Sequence, residues 1–201
     1  MIGEPRWTGS WRTPDACLRA YTPTAQEVAR FAPALAAFYN DAYNREMMSN
    51  TVAMSPEEVE EHFQSVRAAG GLPFLLEHDG ELAGDADFRH LDGETAEFAI
   101  LIGRRPQQGR GFGTRFALLL HALAFGQPGL GLERVFVSII PANLPSQRLF
   151  AKLGYQPDRS PAARAFAEAD SDLTLSLGRD AFASLHASAL PEMVWTEAGA
   201  P

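Results

Sequence analysis

The sequence predicts an α/β domain built on a mixed sheet, and three features of the chain support this class. Runs rich in β-branched and aromatic residues alternate with helical stretches along most of the 201 residues. The turn pairs Asp79-Gly80 and Asp92-Gly93 separate three successive strand-like runs. No internal repeat divides the chain. From this order we expect about six or seven strands flanked by about four helices.

Two helices in the first half of the chain are indicated by their capping residues. Thr24, with Glu27 three residues later, forms a capping-box pattern, and the helix that it opens runs to about Asn40. Ser55 precedes a proline and two glutamates, which suit the N-cap, the first helical position and the first turn. This second helix ends at the glycine pair that begins at Gly70.

The remaining elements follow from periodicity and from turn residues. Strands are predicted at residues 16–21, 73–78, 81–89, 94–103, 132–140 and 172–178, and further helices at 116–125, 143–154 and 179–187. We expect residues 1–15 to form an irregular N-terminal arm and residues 16–187 to form one domain. Residues 188–201 are expected to be a C-terminal tail, either loose or in contact with a partner.

Composition indicates a single enzyme-sized domain in a reducing compartment. Hydrophobic residues make up 46% of the chain, which is enough for a sizeable core. The lone Cys17 excludes an intramolecular disulfide and favours the cytoplasm. We expect neither a signal peptide nor a membrane span, because no apolar run is long enough. The five histidines are scattered, so no metal site is predicted.

Charge argues against one class of partner. The formal net charge is −8, from 25 acidic and 17 basic residues. A nucleic-acid surface is therefore not expected, and a cationic acceptor is mildly favoured. Solubility alone explains the same acidity equally well. A homodimer stays open.

Residues 108–114 form a glycine-rich turn between a strand and a helix. Such a turn directs several backbone N–H groups at one point, at the positive end of the helix dipole, so it is typical of a pyrophosphate site. A tight connection is the alternative reading. No lysine follows the glycines, which excludes a P-loop, and the third glycine is misplaced for a dinucleotide fold. The spacing that remains is Gln-x-x-Gly-x-Gly, from Gln108, Gly111 and Gly113.

A second segment, Asn-x-x-Ser-x-x-Leu-Phe-x-Lys-Leu-Gly-Tyr at residues 143–155, lies about 30 residues downstream of the first. Together the two segments resemble the acetyl-CoA motifs of the GNAT N-acetyltransferase superfamily. The resemblance covers roughly residues 16–180 and implies the GNAT fold, with acetyl-CoA as co-substrate. It also implies that the strand before the turn splays from its successor to admit the pantetheine arm.

The residues that this resemblance assigns to acetyl-CoA come from three places in the chain. The strand would contribute backbone groups, the turn its amides and the rim charge of Arg110, and the second segment the side chain of Asn143. Asn143 is equally compatible with a plain helix N-cap. The full set is Ile100, Leu101, Ile102, Gln108, Gly109, Arg110, Gly111, Phe112, Gly113, Thr114, Asn143, Ser146 and Phe150.

Glu97 is the candidate general base. It lies in an otherwise apolar strand, where burial would raise its pKa toward a useful value. Its spacing to Gln108, 108 − 97 = 11 residues, is similar to that of the catalytic glutamate in the histone-acetylating branch of the family. A structural or solvent-facing role for Glu97 is the alternative.

The general acid is missing from the second segment. Many members of the family carry a tyrosine where this chain has Phe150, which has no proton to give. Tyr155 is expected to pack in the core. Either another residue acts, with Ser138 as a weak candidate, or solvent protonates the leaving thiolate.

The resemblance implies an acceptor wall built from the first two helices and their connection, here residues 38–50, with Asp41 within reach of an amine. An ordinary amphipathic helix end and loop is the alternative for this stretch. Asp85, Asp87 and His90 lie on the third predicted strand, and we expect one face of that strand to border the site. The sequence therefore predicts an N-acetyltransferase that acts on a small primary amine by direct attack. Acetylation of a protein N-terminus or lysine, or a non-catalytic acyl-CoA-binding module, is the alternative.

Overall fold

The structure is a computed structural model that describes residues 6–48, 52–103 and 108–198. Its core is a mixed sheet of nine strands in the order β7-β8-β6-β5-β4-β3-β2-β1-β9. The strands are β1 (Arg6–Thr13), β2 (Ala16–Tyr21), β3 (Leu72–His78), β4 (Glu81–Arg89), β5 (Thr95–Ile102), β6 (Arg134–Ile139), β7 (Gln156–Pro157), β8 (Leu173–Gly178) and β9 (Met193–Ala198). Among the strands of the described residues, β5 and β6 alone pair in parallel, and every other neighbouring pair is antiparallel.

Helices cover both faces of the sheet. Those in the described residues are α1 (Ala25–Asn40), α2 (Ala42–Met47), α3 (Pro56–Ala68), α4 (Phe112–Phe125), α5 (Leu144–Leu153), α6 (Pro161–Arg164) and α7 (Arg179–His186). The first face, which we call the α1 face, packs the apolar sides of α1 and α3 against Leu75 and Leu101. The second, the α4 face, buries α4, α5 and α7 in a larger core with Phe74, Phe88 and Phe98.

Local capping chemistry explains where the first helices begin, and both capping predictions are confirmed. The Thr24 hydroxyl accepts from the Glu27 amide while the Glu27 carboxylate accepts from the Thr24 amide. Ser55 and Glu58 form the same reciprocal pair at the start of α3. At the N-terminus of each of these two helices, two hydrogen bonds satisfy backbone amides that would otherwise have no partner.

The prediction of irregular ends is wrong for the described residues. Residues 6–13 of the expected arm form β1, and residues 193–198 of the expected tail form β9, which pairs with β1. The two strands lie at opposite ends of the chain, so no local signal announces their pairing. Residues 1–5 and 199–201 of the same two segments lie outside the described residues.

The counts of strands and helices were also too low. β1, β9 and the two-residue β7 raise the number of strands to nine. The short helices α2 and α6, which were not foreseen, bring the number of helices to seven within the described ranges, and α7 matches the helix predicted at residues 179–187. No helix of the described residues is both long and apolar enough to cross a membrane.

Trp195 anchors the terminal strands, which gives a direct test of their place in the fold. Its Nε1 donates to the Leu119 carbonyl of α4 at 3.0 Å, and its ring packs on Phe74 and covers Gly9. We expect Trp195→Ala to lower the free energy of unfolding by roughly 3 kcal/mol in urea titrations. The matched control is Val194→Ala, because Val194 is 57% exposed and should change stability by less than about 0.5 kcal/mol. Equal stability of both variants would contradict the packing of β9.

Candidate functional site

The site is organised by the point at which β5 and β6 part. Only Thr95, Ala96 and Glu97 of β5 pair with β6, opposite residues 134–136. Both strands continue without pairing to each other, β5 to Ile102 and β6 to Ile139. Beyond Glu97 the backbone groups on this edge of β5 therefore face an open cleft. The splay that the resemblance implied is present.

A cavity of about 410 Å³ lies on the side of the glycine turn, and we call it the turn-side cavity. It is bounded by α2, by the end of β5, by the turn itself and by the first turns of α5. Its lining consists of Tyr43, Asn44, Met47, Met48, Ile100, Leu101, Ile102, Gln108, Gly109, Gly111, Gly113, Thr114, Asn143, Pro145, Ser146, Arg148, Leu149 and Lys152.

The glycines of the turn meet two different geometric needs. Gly109 and Gly111 have φ of 74° and 86°, and an added Cβ at either would meet nothing within 4 Å, so these positions need glycine for the backbone and open into free space. Gly113 instead permits close packing, because its Cβ would lie 3.0 Å from Leu149 Cδ1. Gly111 is the N-cap of α4 and brings no capping side chain, so the first amides of this 14-residue helix are open to an anion.

Two cationic side chains of α5 line the same cavity. Arg148 and Lys152, four residues apart and so on one side of the helix, line the turn-side cavity. Sequence reasoning missed them, although their spacing after the Asn143 cap was readable. Arg110 and Phe112 do not line the cavity. The Arg110 guanidinium packs over the Phe112 ring, which is buried against His78.

Gln108 and Asn143 hold the walls of the cavity together. Gln108 Nε2 donates to the Ile102 carbonyl at 2.7 Å and to Asn44 Oδ1 at 2.9 Å, which ties the turn to β5 and α2. Asn143 Oδ1 accepts from the Ser146 amide as the N-cap of α5, while its Nδ2 donates to the Met47 carbonyl. The N-cap reading of Asn143 is thus present in the structure, and the side chain also bridges two elements at the mouth of the cleft.

A second cavity, of about 240 Å³, opens from the cleft onto the α1 face, and we call it the acid-lined cavity. It shares Met47, Met48, Ile100, Leu101, Asn143 and Ser146 with the turn-side cavity, so the two meet where β5 leaves β6. The rest of its lining is Tyr39, Asp85, Ala86, Asp87, Arg89, Glu97, Phe98, Ala99, Ser138, Ile139, Ile140, Phe150, Phe166, Glu168 and Asp172.

Strand register places three of its acids on one face. Asp85 lies opposite Leu101, Asp87 opposite Ala99 and Arg89 opposite Glu97. Because directly paired residues of an antiparallel ladder point to the same side and alternate residues repeat it, all of these side chains project onto the α1 face. Five carboxylates and one guanidinium line the cavity, so its field favours a cation.

Glu97 lies at the end of this row that is opposite to Asp85. Its side chain is 15% exposed, and its Oε2 lies 3.2 Å from Nδ1 of His90, which is 64% exposed. Burial raises the pKa of the Glu97 carboxyl above its usual range, opposed by the nearby Arg89 cation. The contact between this buried carboxyl and an exposed imidazole offers a path for proton exchange with solvent.

The aromatic positions of the second segment are structural. Phe150 is buried against Phe98 and Tyr155 and also borders the acid-lined cavity. The Tyr155 hydroxyl donates to His121 Nε2 at 2.6 Å, since Nδ1 of His121 lies 2.7 Å from the Ala117 carbonyl and must carry the proton there. Burial lowers the pKa of His121 to about 4, which keeps the ring neutral. Core packing of Tyr155 is confirmed.

Part of the segment at residues 38–48, for which an acceptor wall stays a prediction, lines the two cavities. Tyr43, Asn44, Met47 and Met48 line one or both cavities, whereas the Asp41 carboxylate caps α2 by accepting from the amides of residues 43 and 44. Residues 49 and 50 lie outside the described residues. No cluster of three metal-ligating side chains occurs in the part of the chain that the structure describes.

Solved structures share this fold. A structure of aminoglycoside acetyltransferase AAC(6')-Ib in complex with coenzyme A is 19% identical, with a TM-score of 0.66, and the match covers 83% of this chain and 98% of that chain. Mycobacterium smegmatis RimJ in complex with CoA-disulfide is 18% identical, with a TM-score of 0.68, over 94% of this chain and 97% of that chain. At these identities the likeness shows the fold alone. No curated protein matches the chain.

The family is shown by a match over the sequence itself. A model of the acetyltransferase (GNAT) domain matches residues 17–156, which is more than half of the chain and spans β2 to the start of β7. This range includes the cleft, the glycine turn and α5. The protein therefore belongs to the GNAT acetyltransferase family.

Proposed function

We propose that this protein transfers the acetyl group of acetyl-CoA to a primary amine of a small molecule by direct attack. One observation carries the proposal: a cavity with open helix amides and two cations meets an acid-lined cavity at the parting of two parallel strands. Opposite charge on the two sides suits an anionic donor and a cationic acceptor that must meet at one point.

The donor side fits the anionic part of acetyl-CoA. The space around Gly111 is open and the first α4 amides have no capping side chain, so a pyrophosphate could accept hydrogen bonds there. Arg148 and Lys152 add charge, and the free edge of β5 at residues 100–102 offers backbone groups to the pantetheine arm. We keep as proposed binding residues Ile100, Leu101, Ile102, Gln108, Gly109, Arg110, Gly111, Phe112, Gly113, Thr114, Asn143, Ser146 and Phe150, with Arg110 and Phe112 limited to their backbone.

The acceptor side favours a cationic amine of modest size. The acid-lined cavity is small, and its carboxylates outnumber its single guanidinium. Among proteins of this fold, AAC(6')-Ib has been solved with paromomycin and acetyl-CoA and with coenzyme A and kanamycin. Aminoglycosides, polyamines and amino-acid derivatives are therefore the first acceptors to test.

In the proposed mechanism Glu97 is the general base. Its carboxylate takes a proton from the acceptor nitrogen through water molecules in the acid-lined cavity, and His90 passes that proton to solvent. The nitrogen–carbonyl bond forms as the carbon–sulfur bond breaks, and the thiolate takes its proton from solvent. A free thiol has a pKa of about 8.5, so this last step needs little assistance near neutrality.

Thiol release from acetyl-CoA, measured across a panel of amines, separates the alternatives. Turnover of a peptide but of no small amine would favour a protein N-terminus or lysine as acceptor. Acetyl-CoA binding without turnover of any amine would favour a non-catalytic module. The cytoplasmic location and the homodimer stay predictions.

Replacing Gly111 tests the donor site. We expect coenzyme A at about 100-fold over its Kd to stabilise the wild type by roughly 2.7 kcal/mol, because only the folded state binds it. Gly111→Val should abolish this shift in melting temperature. Gly80→Val is the matched control, since Gly80 has φ of 81° and equally open surroundings but lies in the β3–β4 hairpin. An unshifted wild-type melt would refute the donor site.

Replacing Glu97 tests the base. Glu97→Gln keeps the volume of the side chain and should keep coenzyme A binding, but we expect kcat/KM for the amine to fall by roughly 10²–10⁴-fold. In the wild type kcat/KM should rise with pH as the raised pKa of Glu97 is passed, and the ionisation of Glu97 should be missing from the profile of the variant. Glu94→Gln, an exposed acid before β5, is the control. A variant that keeps most of the wild-type rate at neutral pH would make Glu97 structural.

A further inference from the structure

Asp85 is the acid of the cavity whose charge the protein leaves uncompensated. It lies on β4 in the floor of the acid-lined cavity and is 5% exposed. The Tyr39 hydroxyl of α1 donates to Oδ2, and Oδ1 has no hydrogen-bond partner among the described residues. A buried carboxylate oxygen without a donor is costly, so such an oxygen in a cavity wall indicates a ligand that supplies one.

The neighbouring acid on the same strand shows the contrast. Asp87 holds Arg89 through two hydrogen bonds, of 2.6 and 3.2 Å, and His62 lies 3.9 Å from its Oδ2. Arg89 is thus committed to Asp87, which is two residues farther from the mouth of the cleft. Asp85 keeps a lone neutral donor. The protein compensates one of two adjacent acids and leaves the other available.

Asp85 lies at the end of the acid-lined cavity that joins the turn-side cavity. It pairs with Leu101, which lines both cavities, whereas Glu97 lies four residues back along β5, about 13 Å at the strand rise. Asp85 therefore faces the place where the two cavities join. Glu97 and the exposed His90 lie at the opposite end of the row, which gives the proposed proton transfer a path to solvent.

We propose that Asp85 is the positioning residue for the acceptor: its Oδ1 accepts a hydrogen bond from the ammonium group of the substrate and holds that nitrogen at the junction of the two cavities. The proposal rests on the proposed function and sharpens its substrate class. It requires an acceptor that arrives as a cation with N–H donors, which excludes alcohols, thiols and quaternary ammonium ions. Tyr39 keeps the carboxylate in place through Oδ2.

Asp85 has a pH dependence of its own. Burial raises its pKa to about 7, with Tyr39 opposing this shift, Asp87 adding to it and Arg89 opposing it. The charged or titratable groups around it are Tyr39 from α1, His62 from α3, Asp87 and Arg89 from β4 and Glu97 from β5. Ammonium binding should therefore strengthen as pH rises from 6 to 8 and Asp85 ionises.

The same ionisation should appear in stability without any ligand. The folded-state pKa lies above the unfolded value of about 3.9, so the native state binds more protons between these values and wild-type stability falls as pH rises through that window. Asp85→Asn lacks this ionisation. The melting temperature of Asp85→Asn minus that of the wild type should increase from pH 5 to pH 8, whereas Glu94→Gln should show no such trend.

The decisive experiment compares two cations of equal charge on the protein without acetyl-CoA. Butylammonium carries N–H donors and tetramethylammonium does not. At pH 8 and constant ionic strength, butylammonium should raise the wild-type melting temperature and tetramethylammonium should not. Asp85→Asn should lose the butylammonium shift and keep coenzyme A binding, and Glu94→Gln should keep both. Equal shifts by the two cations, no shift in the wild type, or an undiminished shift in Asp85→Asn would overturn the proposal.

Kinetics with the best amine of the acceptor panel separate this proposal from the proposed function. Asp85→Asn should raise KM for the amine at least tenfold and leave KM for acetyl-CoA within about twofold. Tyr39→Phe keeps the carboxylate but removes its donor, so it should move the acid limb of kcat/KM to higher pH. If no amine is acetylated, the proposed function fails, and the butylammonium result still decides the role of Asp85. An unchanged amine KM in Asp85→Asn would overturn it.

Discussion

The site depends on the short pairing between β5 and β6. Three residues of each strand pair in parallel, and after Glu97 the strands are held by different partners. β5 stays on β4 through Ile102, and Gly103 continues this attachment by donating to the Ala83 carbonyl. β6 stays on β8 through Ile139. Each strand thus has its backbone bonds satisfied on one side only, and the cleft between them exposes the other side.

Close packing at the end of β5 keeps this cleft open. An added Cβ on Gly103 would fall 2.0 Å from the Phe38 ring, and one on Gly84 would fall 1.9 Å from the Leu101 carbonyl. The end of β5 is therefore clamped between α1 and β4. Asn44 donates to the Gly103 carbonyl and receives a hydrogen bond from Gln108, so the glycine turn is fastened to the same clamp. The residues that shape the cleft also position the helix amides beside it.

Local chemistry explains which parts of this structure the sequence predicts. The capping boxes at Thr24 and Ser55, the Asp79-Gly80 hairpin and the cap at Asn143 all depend on residues within a few positions of each other. The pairing of β1 with β9 joins residues nearly the whole chain apart, and Trp195 of β9 also contacts α4. No pattern of residues close together in the sequence predicts this pairing. Trp7 and Trp11 nevertheless indicate which face of β1 is buried.

The same distinction holds for the candidate site. The turn at 108–114 and the candidate base are local features, and the structure places both at the cleft. The unequal roles of Asp85 and Asp87 are not local, because they depend on which acid receives Arg89 and on the approach of Tyr39 from another helix. Alternation along the strand predicts that two acids share a face. It does not predict which one remains uncompensated.

Many members of the family carry a tyrosine where this chain has Phe150, and this difference is consistent with an acid-lined cavity whose polar groups are mainly carboxylates. In the described residues, the hydroxyl groups that line the acid-lined cavity belong to Tyr39, Ser138 and Ser146. Burial and the nearby Asp85 carboxylate raise the pKa of Tyr39 well above its usual range, so this hydroxyl is a fixed donor and a poor acid. A hydroxyl on the ring of Phe150 would enter a wall made of Phe98 and Tyr155. Under the proposed mechanism, proton transfer would therefore fall to the carboxylates and to solvent. The leaving thiolate, with a conjugate-acid pKa of about 8.5, would need little help from a protein acid.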